Sequence, residues 1–235
     1  MTETAGPADQ ALTLQEISEE VTGHGWRLVL GVARTTVRTS SLAQAAAVAG
    51  RIAAAGLGAG GSLAADVRAD RVILTIRSPE QRRLTRRELD QVAPVTQLVR
   101  ELGLAPGPGT GGGAPRPVQV LEIAIDAMNI AAIRPFWMAV MGYDDEPGDA
   151  GPEGGLADPD GQGPTIWFQQ MDQPRPQRNR IHFDVSVPHD EAARRIEAAL
   201  AAGGRLLADD EAPAFWVLAD AEGNEACVTT WQGRD

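Results

Sequence analysis

Ala105-Pro-Gly-Pro-Gly-Thr-Gly-Gly-Gly-Ala-Pro-Arg-Pro117 decides how this 235-residue chain is organised. Nine of its thirteen residues are proline or glycine. Proline withholds backbone donors and glycine resists ordering, so neither a helix nor a strand ladder is expected, and the stretch reads as a flexible linker over 105–117. Charge changes at the same place. Residues 1–104 carry twelve arginines against eleven acids, and the remainder carries nine against twenty-one. A nearly neutral unit, 1–104, therefore precedes a strongly acidic one, 118–235. Each has about 100 residues, enough to bury a core of its own.

Upstream of the linker, Thr13 stands three residues before Glu16, the spacing of a capping box, and predicts a helix start. The run from Trp26 to Thr39 is rich in β-branched residues and reads as two strands around Gly31. Ser40 or Ser41 caps an alanine-rich helix over 42–55, which Gly56 and Gly58 stop. A short strand near Asp66, a strand over 71–77 and a helix from Thr85 to about Leu104 complete the unit. Arg77, Arg82, Arg83, Arg86 and Arg87 form a basic run without interleaved aromatics, which predicts a solvated helix face and no nucleic-acid site.

Downstream, Val118–Ala127 is a strand, and a helix carries Pro135-Phe-Trp-Met-Ala-Val-Met141. An acidic Gly/Pro-rich loop without periodicity follows, over 144–163. Strands over 165–171 and 180–187 come next, then a helix over 189–202 and strands over 214–219 and 225–231. The order is strand, helix, strands, twice over: a duplication of structural type. Strand pleating sends alternate residues to opposite faces. If Ile123, Ile166, Phe183 and Val228 face the helices, then Glu122, Trp167, Gln169, His182, Glu225 and Cys227 collect on the other side.

Scarce residue types narrow the chemistry. All basic residues are arginine, so Schiff-base chemistry and the Walker phosphate loop are excluded. Three histidines, His24, His182 and His189, leave no material for a multi-histidine metal site. Cys227 is the sole cysteine, which forbids an intrachain disulfide and suits a reducing cytoplasm. No apolar run is long enough to span a membrane, and no secretory signal is visible.

Phe136-Trp137 with Gly142-Tyr143, then Asp158-Pro-Asp-Gly161, then Arg178-Asn-Arg-Ile-His-Phe-Asp184 and Asp220-Ala-Glu-Gly-Asn224 occur in the order seen in the glyoxalase/bleomycin-resistance group, the vicinal oxygen chelate superfamily. Residues 118–235 resemble that superfamily. The resemblance implies an α+β fold of paired βαβββ modules that curl into a half-barrel around one small-molecule pocket. It places metal ligands at about Glu122, Gln169, His182 and Cys227. A carboxylate, an imidazole and a thiolate suit zinc, and a neutral amide is a weak ligand. Three readings stay open: a divalent metal on these residues, a metal-free pocket in which Glu122 and His182 hydrogen-bond a ligand, and His182 as a satisfied core histidine. Trp167 and Trp216 are candidates to stack a planar ligand, Arg178 and Arg180 to clamp an anion, and Gln169 and Glu225 to line the pocket.

Residues 10–104 resemble the pterin-4a-carbinolamine dehydratases, through Thr13-Leu-Gln-Glu-Ile17, Trp26, the Thr35–Thr39 strand, the alanine helix and Leu84-Thr85 with Asp90. That resemblance implies a four-stranded sheet with helices on one face. The family's His-His-Pro is replaced by Gly60-Gly-Ser-Leu63 and its Thr-His by Ser78-Pro79, so a fold without its chemistry is expected. The leading expectation is a cytoplasmic small-molecule-binding protein, acting as a lyase or isomerase with Glu122 as base or ligand and His182 as acid or ligand. The alternatives are a sequestering binder that pairs as a homodimer through its first unit, and an active 4a-hydroxytetrahydrobiopterin dehydratase.

Overall fold

The structure is a computed structural model and describes residues 12–107, 120–175, 177 and 181–233. It divides into two compact units at Val120/Leu121.

The first unit opens with α1 (Leu14–Gly23), where Thr13 and Glu16 form the reciprocal capping box. β1 (Arg27–Val29) and β2 (Val32–Arg38) turn back at Leu30 and Gly31, both with positive φ. A Cβ on Gly31 would sit 2.0 Å from the Arg82 carbonyl oxygen, so the turn demands glycine. Ser41 caps α2 (Leu42–Ala54), and β3 (Leu63–Arg68) and β4 (Arg71–Ile76) form a hairpin. The expected long helix from Thr85 is instead two pieces, α3 (Arg86–Leu89) and α4 (Val92–Glu101). Pro94 explains the break, because a continuous helix would need its missing N–H to bond the Asp90 carbonyl.

The sheet order is β1-β2-β4-β3, and its inner residues pack with α1, α2 and α4 in one core cluster. Trp26 lies fully buried there and donates its indole N–H to Thr96 Oγ1 at 2.9 Å. The linker expectation needs correction at its start: Pro106–Gly107 is a short strand, β5, that pairs with Thr36 and Val37 of β2. The sheet therefore has five strands, not four, and β5 shares an edge with β1. Thr35 Oγ1 donates to the Gly107 carbonyl at 3.1 Å, a long-range tie that composition alone conceals.

The second unit holds two modules of identical topology. The first contains β6 (Glu122–Ala127), α5 (Ile130–Met141), β7 (Asp144–Asp145), β8 (Leu156–Ala157) and β9 (Thr165–Gln170). The second contains β10 (Phe183–Ser186), α6 (Ala192–Ala201), β11 (Arg205–Ala208), β12 (Phe215–Ala219) and β13 (Glu225–Thr229). Their sheets run β6-β9-β8-β7 and β10-β13-β12-β11. In each, the first strand pairs parallel with the last. The unit is thus α+β with paired βαβββ modules.

The acidic loop over 144–163 is not the featureless segment its composition predicts. Its first residues form β7, which pairs with β8 inside it, and Arg134 of α5 holds the stretch between them. Arg134 is 7% exposed, donates to the Gly154 and Gly155 carbonyls, and pairs with Asp145. No helix among the described residues is long and apolar enough to cross a membrane.

Candidate functional site

The parallel pair at the heart of each module fixes which side chains stand together. In the second module, Phe183, Asp184, Val185 and Ser186 pair with Ala226, Cys227, Val228 and Thr229. Ala226 and Val228 are buried in the core, and Phe183 packs against it. Asp184, Ser186, Cys227 and Thr229 therefore share the opposite face, with His182 two residues before Asp184. The Ser186 and Thr229 hydroxyls hydrogen-bond each other across the pair at 2.8 Å.

The ligand atoms of His182, Asp184 and Cys227 all lie within 4.8 Å of one another. His182 Nε2 stands 3.5 Å from Asp184 Oδ1. Cys227 is 6% exposed, whereas the side chains of His182 and Asp184 are 51% and 62% exposed. The cluster is thus a thiol at the floor with an imidazole and a carboxylate open to solvent.

Two of the four metal ligands implied by the resemblance, His182 and Cys227, come together here. The third partner is Asp184, which is not among the candidates read from the sequence. Glu122 is on β6 in the other module, outside this cluster, and its carboxylate accepts from Thr165 Oγ1 at 3.4 Å. Register explains the mismatch. Glu122 pairs with Thr165, Ala124 with Trp167 and Asp126 with Gln169. Gln169 therefore pairs four positions along β6 from Glu122, and the two do not share a rung as Asp184 and Cys227 do. Among the described residues, the cluster of three such donors lies in the second module.

The other candidates separate in the same way. Trp167 is exposed on the polar side of β9. Trp216 pairs with Val228 on β12–β13 and packs, partly buried, against the core. Glu225 lies two residues before Cys227, half-buried on its face. Arg178 and Arg180 lie outside the described residues. The signal that could have found Asp184 is the His-x-Asp alternation itself, since residues i and i+2 of a strand point the same way.

The donor set fits zinc. Bond lengths of about 2.0–2.3 Å set two ligands of one tetrahedral zinc about 3.3–3.7 Å apart; His182 and Asp184 stand 3.5 Å apart, and the three ligand atoms together lie within 4.8 Å. Imidazole, carboxylate and thiolate are all zinc donors. A zinc ion held by these three residues would leave room for a substrate oxygen and would supply Lewis-acid polarisation.

Two aspartate-centred turns brace the modules. Asp158 accepts backbone N–H bonds from Asp160, Gln162 and Gly163. Burial alone would raise its pKa, but the three donors hold it below the usual aspartate value. Asp220 is fully buried and accepts from the N–H groups of Glu222 and Asn224, from Asn224 Nδ2, and from the Trp137 indole at 3.0 Å. Glu222 then reaches the start of α5, accepting from the N–H groups of Met128 and Asn129. Tyr143 stands beside the first turn, and its pKa is raised by burial and by the Asp158 charge.

With the geometry in place, the class of the second unit can be stated: residues 122–229 match the glyoxalase-like domain family. Similar solved structures include a glyoxalase/bleomycin resistance protein/dioxygenase family enzyme from Burkholderia phytofirmans PsJN. It is 19% identical over 46% of this chain and 95% of its own, with a TM-score of 0.39. The genomically encoded fosfomycin resistance protein of Listeria monocytogenes is 11% identical over 47% of this chain and 89% of its own, with a TM-score of 0.37. A glyoxalase-related enzyme from Fulvimarina pelagi is 20% identical over 48% of this chain and 87% of its own, at 0.36. No curated protein matches the chain.

Proposed function

We propose that the second unit binds a small polar metabolite on the face of β10 and β13, where His182, Asp184 and Cys227 hold a zinc ion. The observation that carries this reading is the convergence of three different zinc-competent donors on one strand pair of a glyoxalase-like domain. The chemistry such a site favours is lyase or isomerase chemistry on an oxygen-bearing substrate. Held by His182, Asp184 and Cys227, zinc would supply Lewis-acid polarisation of a substrate oxygen. A reducing cytoplasm keeps the Cys227 thiol available as a ligand.

Metal analysis after expression with added zinc and exhaustive dialysis tests the reading. Near-stoichiometric zinc is expected in the wild type and in Glu122→Gln, and a loss of most of it in Cys227→Ser and Asp184→Asn. Trace zinc in the wild type would overturn it.

The first unit fits a non-catalytic role. Within the two stretches that replace the histidine motifs of the dehydratase resemblance, 60–63 and 78–79, Ser62 and Ser78 are buried and hydrogen-bonded. Ser62 bonds Gln91, and Ser78 accepts from the N–H groups of Glu80 and Gln81. Turnover of a pterin carbinolamine by the purified chain would refute this assignment.

A further inference from the structure

Strand alternation in the second module sets further side chains beside the His182–Asp184–Cys227 cluster. Trp216 and Leu218 of β12 pair with Val228 and Ala226 of β13, and all four lie in or against the core. Phe215 and Val217 therefore point the other way, to the side of Thr229 and Cys227, their direct partners on β13. Both are half-buried, and neither belongs to the core cluster formed among the described residues.

The row continues past the end of β13. The Val187 N–H donates to the Thr229 carbonyl at 3.0 Å and the Thr230 N–H to the Ala214 carbonyl at 2.9 Å, so the chain is still paired on both sides. Thr230 is buried, and alternation then sets Trp231 on the side of Cys227 and Thr229. Trp231 is 65% exposed, although tryptophan is highly buried on average. It is nonetheless held in place: its ring meets that of His189 edge-on at 5.5 Å, and its indole N–H donates to His189 Nδ1 at 3.4 Å.

The row has the dimensions of a ligand. A rise of about 3.3 Å per residue puts the Ser186–Thr229 rung about 6.6 Å beyond the Asp184–Cys227 rung, and Trp231 about 13 Å beyond it. Ser186 and Thr229 share one hydrogen bond, so one of their two hydroxyl protons holds it and the other can meet a ligand acceptor. Along one strand pair the face thus offers oxygen-binding donors, a hydroxyl pair and an aromatic end, in that order. A bare anion or a sugar would leave the aromatic end uncovered.

We propose that the ligand of this site is an elongated aromatic compound. Its oxygen-bearing head lies at His182, Asp184 and Cys227, its arm carries a hydrogen-bond acceptor over Ser186 and Thr229, and its planar ring packs on Phe215 and Trp231. This names the ligand class of the site proposed above and rests on the zinc reading for its head alone. Aromatic rings pair in offset or edge-to-face arrangements that add to the area they bury, so the ring decides which oxygen compounds the site takes.

Calorimetric titration of the zinc-supplemented full chain with hydroxamates, whose paired oxygens bind zinc, tests this. Acetohydroxamate has the head alone, hexanohydroxamate adds the arm, and its ω-phenyl derivative adds the ring. The phenyl compound should bind about tenfold or more tighter than hexanohydroxamate, the gain expected from burying one aromatic ring. Trp231→Ala, a change at an exposed side chain that the fold tolerates, should cut that gain to less than about threefold and leave zinc content and acetohydroxamate affinity unchanged. Phe215→Leu, which keeps apolar volume without the ring, should remove part of the gain. Leu14→Ala, at an exposed apolar side chain of the first unit, should remove none of it. Failure of the metal reading shows separately, as trace zinc and no binding of acetohydroxamate. The zinc-free chain at millimolar ligand then still decides the aromatic end, by the same Trp231-dependent preference for the ring. Equal affinity for hexanohydroxamate and its phenyl derivative, or a ring preference that survives Trp231→Ala, would overturn the proposal. So would a Trp231→Ala chain that loses self-association while its ring preference stays intact.

Discussion

Asp220 carries no reactive role, yet four N–H donors converge on its buried carboxylate, one of them from Trp137 on another element. Removing the acceptor strands the buried Trp137 indole N–H and takes the partner from three part-buried donors of the turn. Asp220→Ala should therefore destabilise the second unit by about 3–5 kcal/mol, read from urea unfolding followed by tryptophan fluorescence. Asp158 is built alike but lies nearer solvent, and its lowered pKa makes a pH-dependent contribution. A carboxyl whose folded pKa is depressed stabilises the fold above its ordinary value and loses that contribution as pH falls through the lower folded value. Asp158→Asn should thus be less stable than the wild type at neutral pH, with the gap closing below about pH 4. A gap that persists at pH 2 would mean that the amide disrupts the turn for another reason.

At the scale of elements, Arg134 shows why the acidic loop was illegible. An arginine inside an apolar helix reads as an oddity, because its partners, Asp145 and the Gly154 and Gly155 carbonyls, lie 11 to 21 residues away in sequence. The capping box at Thr13, the turn at Gly31 and the alternation of every long strand were legible because each depends on residues within a few positions of one another. The same alternation set His182 and Cys227 on one face. It could not say that Gln169 pairs with Asp126, four positions from Glu122, since register is a property of two strands and not of one. Lysine in place of Arg134 keeps the charge but cannot span three acceptors. Arg134→Lys should leave the helix intact and cost about 2–3 kcal/mol, with the Glu146 amide, which bonds the Gly155 carbonyl at 3.0 Å, losing its hydrogen-exchange protection. Unchanged protection would show that β7 and β8 hold the loop without it.

For the whole molecule, the division into two compact units gives the zinc reading a thermodynamic signature. A ligand that binds only the folded state stabilises the part that holds it, by about 4 kcal/mol when free zinc exceeds its dissociation constant a thousandfold. In a domain of about 100 residues that is a rise of about 10 °C or more in the unfolding midpoint. His182, Asp184 and Cys227 all belong to the second unit, so calorimetry of the zinc-loaded chain should resolve two transitions, and a chelator should lower one of them. Tryptophan identifies which: the first unit has Trp26 alone, and the second has Trp137, Trp167, Trp216 and Trp231. The transition that dominates tryptophan emission is the one that should move, and Cys227→Ser should abolish its response to chelator while leaving the other midpoint in place. Were the chelator to move both midpoints together, the two units would unfold as one and the metal would stabilise more than the domain that binds it. Were it to move neither, zinc bound at this cluster would not contribute to the fold, and the three side chains would have to act on a ligand without it.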